Sequence, residues 1–113
     1  MQIAELDGKN FEQFIQQEEV TVVDFWAPWC NPCKVMLPVV EKLSLALKGK
    51  ATFGKVDIDE EGALAGRLSI SSIPRFRIYR KGMMLQEVEG ALPPKKLQDI
   101  IEGYCEQGET VGA

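Results

Sequence analysis

Val20-Thr21-Val22-Val23-Asp24-Phe25-Trp26-Ala27-Pro28-Trp29-Cys30-Asn31-Pro32-Cys33 decides the reading of this chain. Its first seven residues are mostly β-branched or aromatic, the composition of a strand buried on both faces rather than of an alternating surface strand. Beyond the cysteines, Met36, Val39, Val40, Leu43, Ala46 and Leu47 recur on one helical face. The stretch therefore predicts strand, tight turn and long helix, with Cys30 and Cys33 at the junction. Pro38 removes one backbone hydrogen bond inside that helix and predicts a kink rather than an end.

Working outward, the remaining elements alternate in type. Ile3 to Leu6 is a short apolar start (β1), and Asn10 to Gln17 reads as a helix with Asn10 as N-cap and Gln13 at capping-box spacing. The buried strand 20–26 is then β2, and Ala51 to Asp57 a second central strand (β3). Asp59 is placed to cap a short helix through Ala63, Leu64 and Leu68. Arg75 to Arg80 (β4) and Met83 to Glu89 (β5) are joined at Lys81-Gly82, a tight-turn signal for a hairpin. Pro93-Pro94 opens a last helix whose apolar stripe is Leu97, Ile100, Ile101, Tyr104 and Cys105. The order β-α-β-α-β-α-β-β-α implies an α/β fold, a mixed sheet with helices on both faces. Residues 1–108 are expected to form one domain and 109–113 a loose tail.

Composition narrows the chemistry. One domain is expected from 113 residues, and 45% hydrophobic with 27% charged residues is an ordinary globular balance. The net charge of −4 disfavours a nucleic-acid binder, which needs a basic footprint. No apolar run approaches the ~20 residues that cross a bilayer. Met1-Gln2-Ile3-Ala4-Glu5 shows neither a basic n-region nor an apolar h-region, so a cytoplasmic address is expected. There is no histidine, and only three cysteines. A disulfide framework and a tetrahedral zinc site are both disfavoured, and no metal or cofactor is expected.

Redox chemistry is what the cysteine placement does favour. If Cys30 stands near the N-cap of the helix, first-turn N–H groups and the helix dipole point at its sulfur and favour the thiolate. Cys33 lies one turn along, where it can close the ring, and Pro32 stiffens the pair without losing an intrahelical bond. The competing reading is two unconnected buried thiols, or half of a metal site. Trp26 is read as core filling, and Trp29 as covering the surroundings of the first sulfur. Asp24, inside a buried strand, must be paired or carry a raised pKa. It is the candidate proton acceptor for the second cysteine, against the alternative of a structural acid; Lys55 on the neighbouring strand can pair with it, or be merely solvated. Pro74 at the entry of β4 is either an ordinary trans proline or a cis one that would present the backbone of Ile73 to an extended substrate.

The run Val-Val-Asp-Phe-Trp-Ala-Pro-Trp-Cys-Asn-Pro-Cys-Lys, with Pro38, Lys-Val-Asp-Ile-Asp at 55–59, Ile73-Pro74, Gly82 and Gly90, closely resembles the thioredoxin family. The likeness holds in order and spacing from about residue 3 to 105. The resemblance implies a five-stranded sheet ordered β1-β3-β2-β4-β5 flanked by four helices, two on each face. It implies that Cys30 attacks and Cys33 resolves, that Asp24 and Lys55 are a buried proton-transfer pair, and that Pro74 is cis. Trp29, Ile73, Gly90 and Ala91 fall where the family binds substrate. The implied electron source is a flavoprotein reductase driven by NADPH.

Two departures stand out. Asn31 replaces the family's glycine between the cysteines, and such residues, with Pro32, help to set redox poise. Arg75, Arg77, Arg80 and Lys81 put four cations between 75 and 81 with no anion. They read either as a solvated face of an edge-proximal strand or, at Arg75, as a device that steers acidic partners to the cysteines. Arg77 is a concern, since a cation pointing into the layer of Asp24 would keep that acid ionised. Cys105 reads as core packing, with regulatory oxidation only if it is exposed. The expected function is a monomeric cytoplasmic protein-disulfide reductase. The alternatives are a dedicated redox partner of one client or reductase, and a non-catalytic adapter built on the same fold.

Overall fold

β2 (Val20–Trp26) runs through the middle of the sheet, paired in parallel with β3 (Ala51–Asp57) and antiparallel with β4 (Arg75–Arg80). The chain is described by a computed structural model over residues 3–107; the expected tail 109–113 lies outside the described residues. β1 (Ile3–Glu5) pairs in parallel with β3, and β5 (Met83–Glu89) antiparallel with β4, giving the order β1-β3-β2-β4-β5. Four helices complete the fold: α1 (Phe11–Ile15), α2 (Asn31–Ala46), α3 (Gly62–Arg67) and α4 (Pro94–Gln107).

Six of the seven residues of β2 are buried because both sheet faces are covered. Val20 and Val22 join Phe53, Phe76 and Ile78 under α2 (Met36, Val40, Leu43) and α4 (Leu97, Ile101). Val23 and Phe25 face the other way, with Val56 and Tyr79, against Phe11 and Ile15 of α1 and Leu64 of α3. Each such side chain contributes roughly 1.5–3 kcal/mol by leaving water. A small third cluster, Ala27, Cys30 and Cys33 with Trp26, Ile58 and Ile73 against it, sits where β2 gives way to α2. The cores thus hold β2 and α2 in place, and their junction carries the cysteines.

Several local expectations need correction. Asn10 does occupy the N-cap of α1 but makes no capping hydrogen bond there. Its Oδ1 instead accepts from the Asp7 N–H at 2.7 Å, while Asp7 Oδ1 accepts from the N–H groups of Lys9 and Asn10 at 2.8 and 2.9 Å. That reciprocal turn replaces the box with Gln13, and the helix is shorter than expected. Nor does Asp59 cap α3. Asp57 accepts from the Asp59 and Glu60 N–H groups at 2.9 and 3.3 Å, so the turn is held from two residues earlier. Ala46 is exposed, and Ser44 is buried instead, its hydroxyl donating to the Glu41 carbonyl at 2.6 Å. α2 runs through Pro38 as one helix.

The β4–β5 turn has the form its sequence suggests. Lys81 and Gly82 both have left-handed φ (52° and 81°), the pattern of a two-residue hairpin turn matched to strand twist. The strands then depart from simple pairing. Tyr79 faces Met84 but Ile78 faces Gln86, so Leu85 is an extra residue and the ladder carries a bulge. Beyond it Arg77 lies opposite Glu87, and Arg75 opposite Glu89.

Gly54 in β3 marks a close approach. A Cβ there would stand 2.7 Å from Leu6 Cδ1 and 3.1 Å from Phe14 Cζ. Gly54→Ala should therefore cost about 1–3 kcal/mol in urea unfolding through overpacking. Gly62→Ala, where no atom lies within 4 Å of the added carbon, should be neutral or stabilising by up to about 1 kcal/mol. Equal midpoints for the two variants would mean that Leu6 and Phe14 give way freely.

Candidate active site

α2 begins at the sulfur. Cys30 is its N-cap residue in extended conformation (φ −91°, ψ 105°), and Cys30 Sγ accepts from the backbone N–H of Cys33 at 3.2 Å. Asn31 and Pro32 fill the first two helical positions, where the missing proline N–H costs no helical bond. Cys30 and Cys33 are joined as a disulfide with Cα atoms 5.3 Å apart. Their environments differ: Cys33 is wholly buried, while Cys30 keeps 5% of its surface, beside exposed Asn31 and Pro32.

Trp29 is 64% exposed, as expected of a residue outside the strand. Its indole N–H donates to Asp59 Oδ2 at 2.9 Å, which fixes the ring and gives Asp59 a use that the capping expectation missed. The Ile73–Pro74 peptide is cis, and Ile73 packs against the cysteine cluster. The Gly90 N–H donates to the Pro74 carbonyl at 2.8 Å, tying the Ile73–Pro74 loop to the end of β5. Gly90 has a φ of 85°, which a side chain would strain. Ala91 beside it is exposed.

Asp24 is 1% exposed, and neither carboxylate oxygen has a hydrogen-bond partner among the described residues. Burial pushes its pKa up from 3.8 to about 7, with the positive charge of Lys55 pulling the other way. Lys55 is the register partner of Asp24 on β3, yet the two form no ion pair within 4.0 Å. The Lys55 ammonium lies over the Trp26 ring, 5.3 Å from its centroid. Of the two alternatives for Asp24, pairing or a raised pKa, the second holds. Trp26 is half-buried against the cysteine cluster.

The basic strand does not form a solvated face. Arg77 shares its face with Val23 and Phe25, opposite to Asp24, and its guanidinium sits 5.7 Å from the Phe25 ring centroid. It donates to Glu87 Oε2 at 2.7 Å and to the Leu68 carbonyl at 2.8 Å. The concern that Arg77 would hold Asp24 ionised is therefore removed. Arg75 is likewise occupied, 3.1 Å from Glu87 and 3.5 Å from Glu89. Burial alone would raise the Glu87 carboxyl, but the bonds from Arg77 and Arg75 hold it below its ordinary value. Arg80 donates to the Tyr104 carbonyl at 2.7 Å. Cys105 is half-buried against the core, its thiol donating to the Lys50 carbonyl at 3.5 Å, and burial raises its pKa although Arg80 and Lys50 oppose the rise. A protonated thiol is a poor nucleophile. Among the described residues no three His, Cys, Asp or Glu side chains cluster as a metal site would need, and no helix is long and apolar enough to cross a membrane.

A sequence model of the thioredoxin family matches residues 2–103. The chain belongs to the thioredoxin family. A thioredoxin of Staphylococcus saprophyticus is 38% identical over 104 residues, covering 92% of this chain and 99% of that protein. The M-type chloroplastic thioredoxin of Spinacia oleracea is 36% identical over 104 residues. There the match spans 91% of this chain but 58% of the longer spinach protein. Among solved structures, the thioredoxin of Malassezia sympodialis superposes with a TM-score of 0.83 at 36% identity, covering 91% of this chain and 90% of the other. A mutant thioredoxin from Halobacterium salinarum gives 0.83 at 30% identity, covering 92% and 91%. With the Cys30–Cys33 pair in place, membership gives the chain the thioredoxin activity, protein-disulfide oxidoreduction.

The buried acid has a thermodynamic consequence whose sign is fixed. Asp24 keeps its proton in the folded chain up to about pH 7, whereas in the unfolded chain it ionises near 3.8. Between those values the folded state binds the extra proton, so stability falls as pH rises, by up to about 4 kcal/mol above the folded pKa. Asp24→Asn in the oxidised chain should match the parent near pH 4 (about the unfolded pKa) and exceed it in urea unfolding near pH 8 (about a unit above the folded one). A difference that does not change with pH would contradict the raised pKa.

Proposed function

We propose that the chain reduces protein disulfides by a two-step exchange in which Cys30 attacks and Cys33 resolves. The observation that carries this order is the difference in surroundings: Cys30 caps α2 and retains exposed surface, while Cys33 is buried beneath it. The Cys30 thiolate, favoured by the first-turn N–H groups, displaces one sulfur of the substrate disulfide, which leaves as a thiolate and takes up a proton. Cys33 then gives its proton to Asp24 and attacks Cys30 Sγ, expelling the second substrate sulfur. Two electrons pass to the substrate, and the Cys30–Cys33 disulfide remains. Asp24 suits this task because an acid with a pKa of about 7 is half ionised near neutrality and can both take and return a proton.

Lys55 acts here as the partner that limits the rise in the pKa of Asp24, and Asn31 and Pro32 adjust the redox poise from the first helical turn. Trp29, Ile73, Pro74, Gly90 and Ala91 form the surface on which the substrate lies. The hydrogen bonds that fix Trp29 to Asp59 and Gly90 to Pro74 support that reading. Disulfide-containing proteins are the substrates, and a flavoprotein reductase of the thioredoxin-reductase type returns the electrons. A cytoplasmic, monomeric carrier suits this role, which needs no metal or bound cofactor. An adapter without turnover would have no use for a buried carboxyl with a pKa near neutrality, and Asp24 disfavours it.

Reduction of insulin disulfides with dithiothreitol tests the proposal. The parent chain should turn over, Cys30→Ser should be inert, and Cys33→Ser should accumulate a mixed disulfide through Cys30. Asp24→Asn should slow the resolving step near neutral pH by about a hundredfold, the lower reach of general-base effects. A trapped adduct on Cys33 of the Cys30→Ser variant instead would reverse the roles.

A further inference from the structure

Arg75 stands directly after Pro74, and its guanidinium reaches back to the loop that precedes it. Nε donates to the Ser72 carbonyl at 3.1 Å and an Nη to the Ser72 hydroxyl at 2.6 Å. The Ser72 hydroxyl donates in turn to Glu89 Oε2 at 2.8 Å, and Glu89 lies 3.5 Å from the same guanidinium. Arg75, Ser72 and Glu89 therefore close a triangle. A further arm runs from Arg75 to Glu87 at 3.1 Å, and from Glu87 through Arg77 to the Leu68 carbonyl beyond α3.

The triangle spans two loops. Ser72 leads into Ile73 and Pro74, and Glu89 leads into Gly90, whose N–H already bonds the Pro74 carbonyl. These are the two loops on which a substrate lies in the function proposed above. We infer that Arg75 is a positioning residue for substrate: with Ser72 and Glu89 it clamps the Ile73–Pro74 loop to the Glu89–Gly90 loop and holds the docking surface at a fixed width.

The physical case rests on geometry and burial. Only a planar fork can bond a carbonyl, a hydroxyl and two carboxylates at once, so lysine is no substitute here. The Arg75 side chain is 13% exposed and that of Glu87 27%, so this arm is partly shielded from salt. Glu89, at 64%, holds its place through the Ser72 hydroxyl more than through charge. With two carboxylates against it, Arg75 offers no free positive charge to a partner. Fixing the width of a docking surface lowers the ordering cost of binding a folded protein, whereas a small disulfide that touches only the sulfur gains nothing from it. The inference depends on the exchange reaction but not on the order of the cysteines.

The test compares the parent chain with Arg75→Thr, Arg75→Lys and Ser72→Ala, using insulin as a protein disulfide and an aromatic disulfide such as dithiobis(nitrobenzoate) as a small one. Arg75→Thr should raise KM for insulin about three- to tenfold while kcat changes less than about twofold, since coupled groups of this kind interact on that scale. Arg75→Lys should also raise it, because charge without the fork is insufficient. Ser72→Ala combined with Arg75→Thr should add little to either alone. An unchanged KM for insulin overturns the clamp, as does a KM restored by lysine. A fall in the small-disulfide rate matching that for insulin overturns it too, since general loosening would then be the cause. The parent's own turnover of both substrates reports separately on the exchange reaction, so loss of the clamp and loss of the function are distinguishable.

Discussion

The chain leaves a buried strand and enters a helix within four residues, Ala27 to Cys30, and the state of one sulfur depends on that abrupt change. Cys30 can receive the first-turn N–H groups only because α2 starts at it, and α2 starts there because β2 cannot shift. β2 is bonded on both sides, to β3 and to β4, and packed on both faces by aromatic and branched side chains. A slide of one residue would exchange the side chains fitted to its two buried faces. The rigidity of the sheet centre thus becomes positional accuracy at its edge, where the chemistry needs it.

That same rigidity makes room for an unfavourable group. A carboxyl with no hydrogen-bond partner in the layer between sheet and helices works against folding whenever it is ionised. The apolar clusters on either side offset this easily, each buried side chain contributing a few kcal/mol. Lys55 tempers the cost without cancelling it, because its ammonium rests on the Trp26 ring rather than against the carboxylate. A tighter pair would return Asp24 to an ordinary acid and remove its capacity to accept a proton near neutrality. Stability and the proton transfer proposed for Asp24 pull this site in opposite directions, and the separation of Asp24 from Lys55 is where they meet.

Much of this was legible in the chain itself. β2, β3, β4 and β5 fall where the apolar runs and the Lys81-Gly82 turn place them, and the cysteines lie at the junction expected of them. Asp24 was legible because a charge within Val-Val-Asp-Phe-Trp has few places to go. What failed were choices between neighbouring polar residues, where spacing permits several hydrogen-bond patterns and only three dimensions select one. Asp7 displaced Gln13 at the start of α1, and Asp57 displaced Asp59 before α3. The fate of the arginines was hidden by one residue. Counted outward from Lys81-Gly82, Gln86 and Val88 would face Arg77 and Arg75; the bulge at Leu85 brings Glu87 and Glu89 there instead.

That bulge also governs which changes of length the hairpin can absorb. Removing a residue at Leu85 would regularise the ladder and leave every acid–base partnership beyond it aligned, at the expense of one core contact. An insertion between Gln86 and Glu87 would instead rotate both glutamates away from the arginines and unfasten the strand end nearest the cysteines. Drift in chain length is thereby confined to the turn half of the hairpin, and the half that borders the redox pair is held to a fixed residue count.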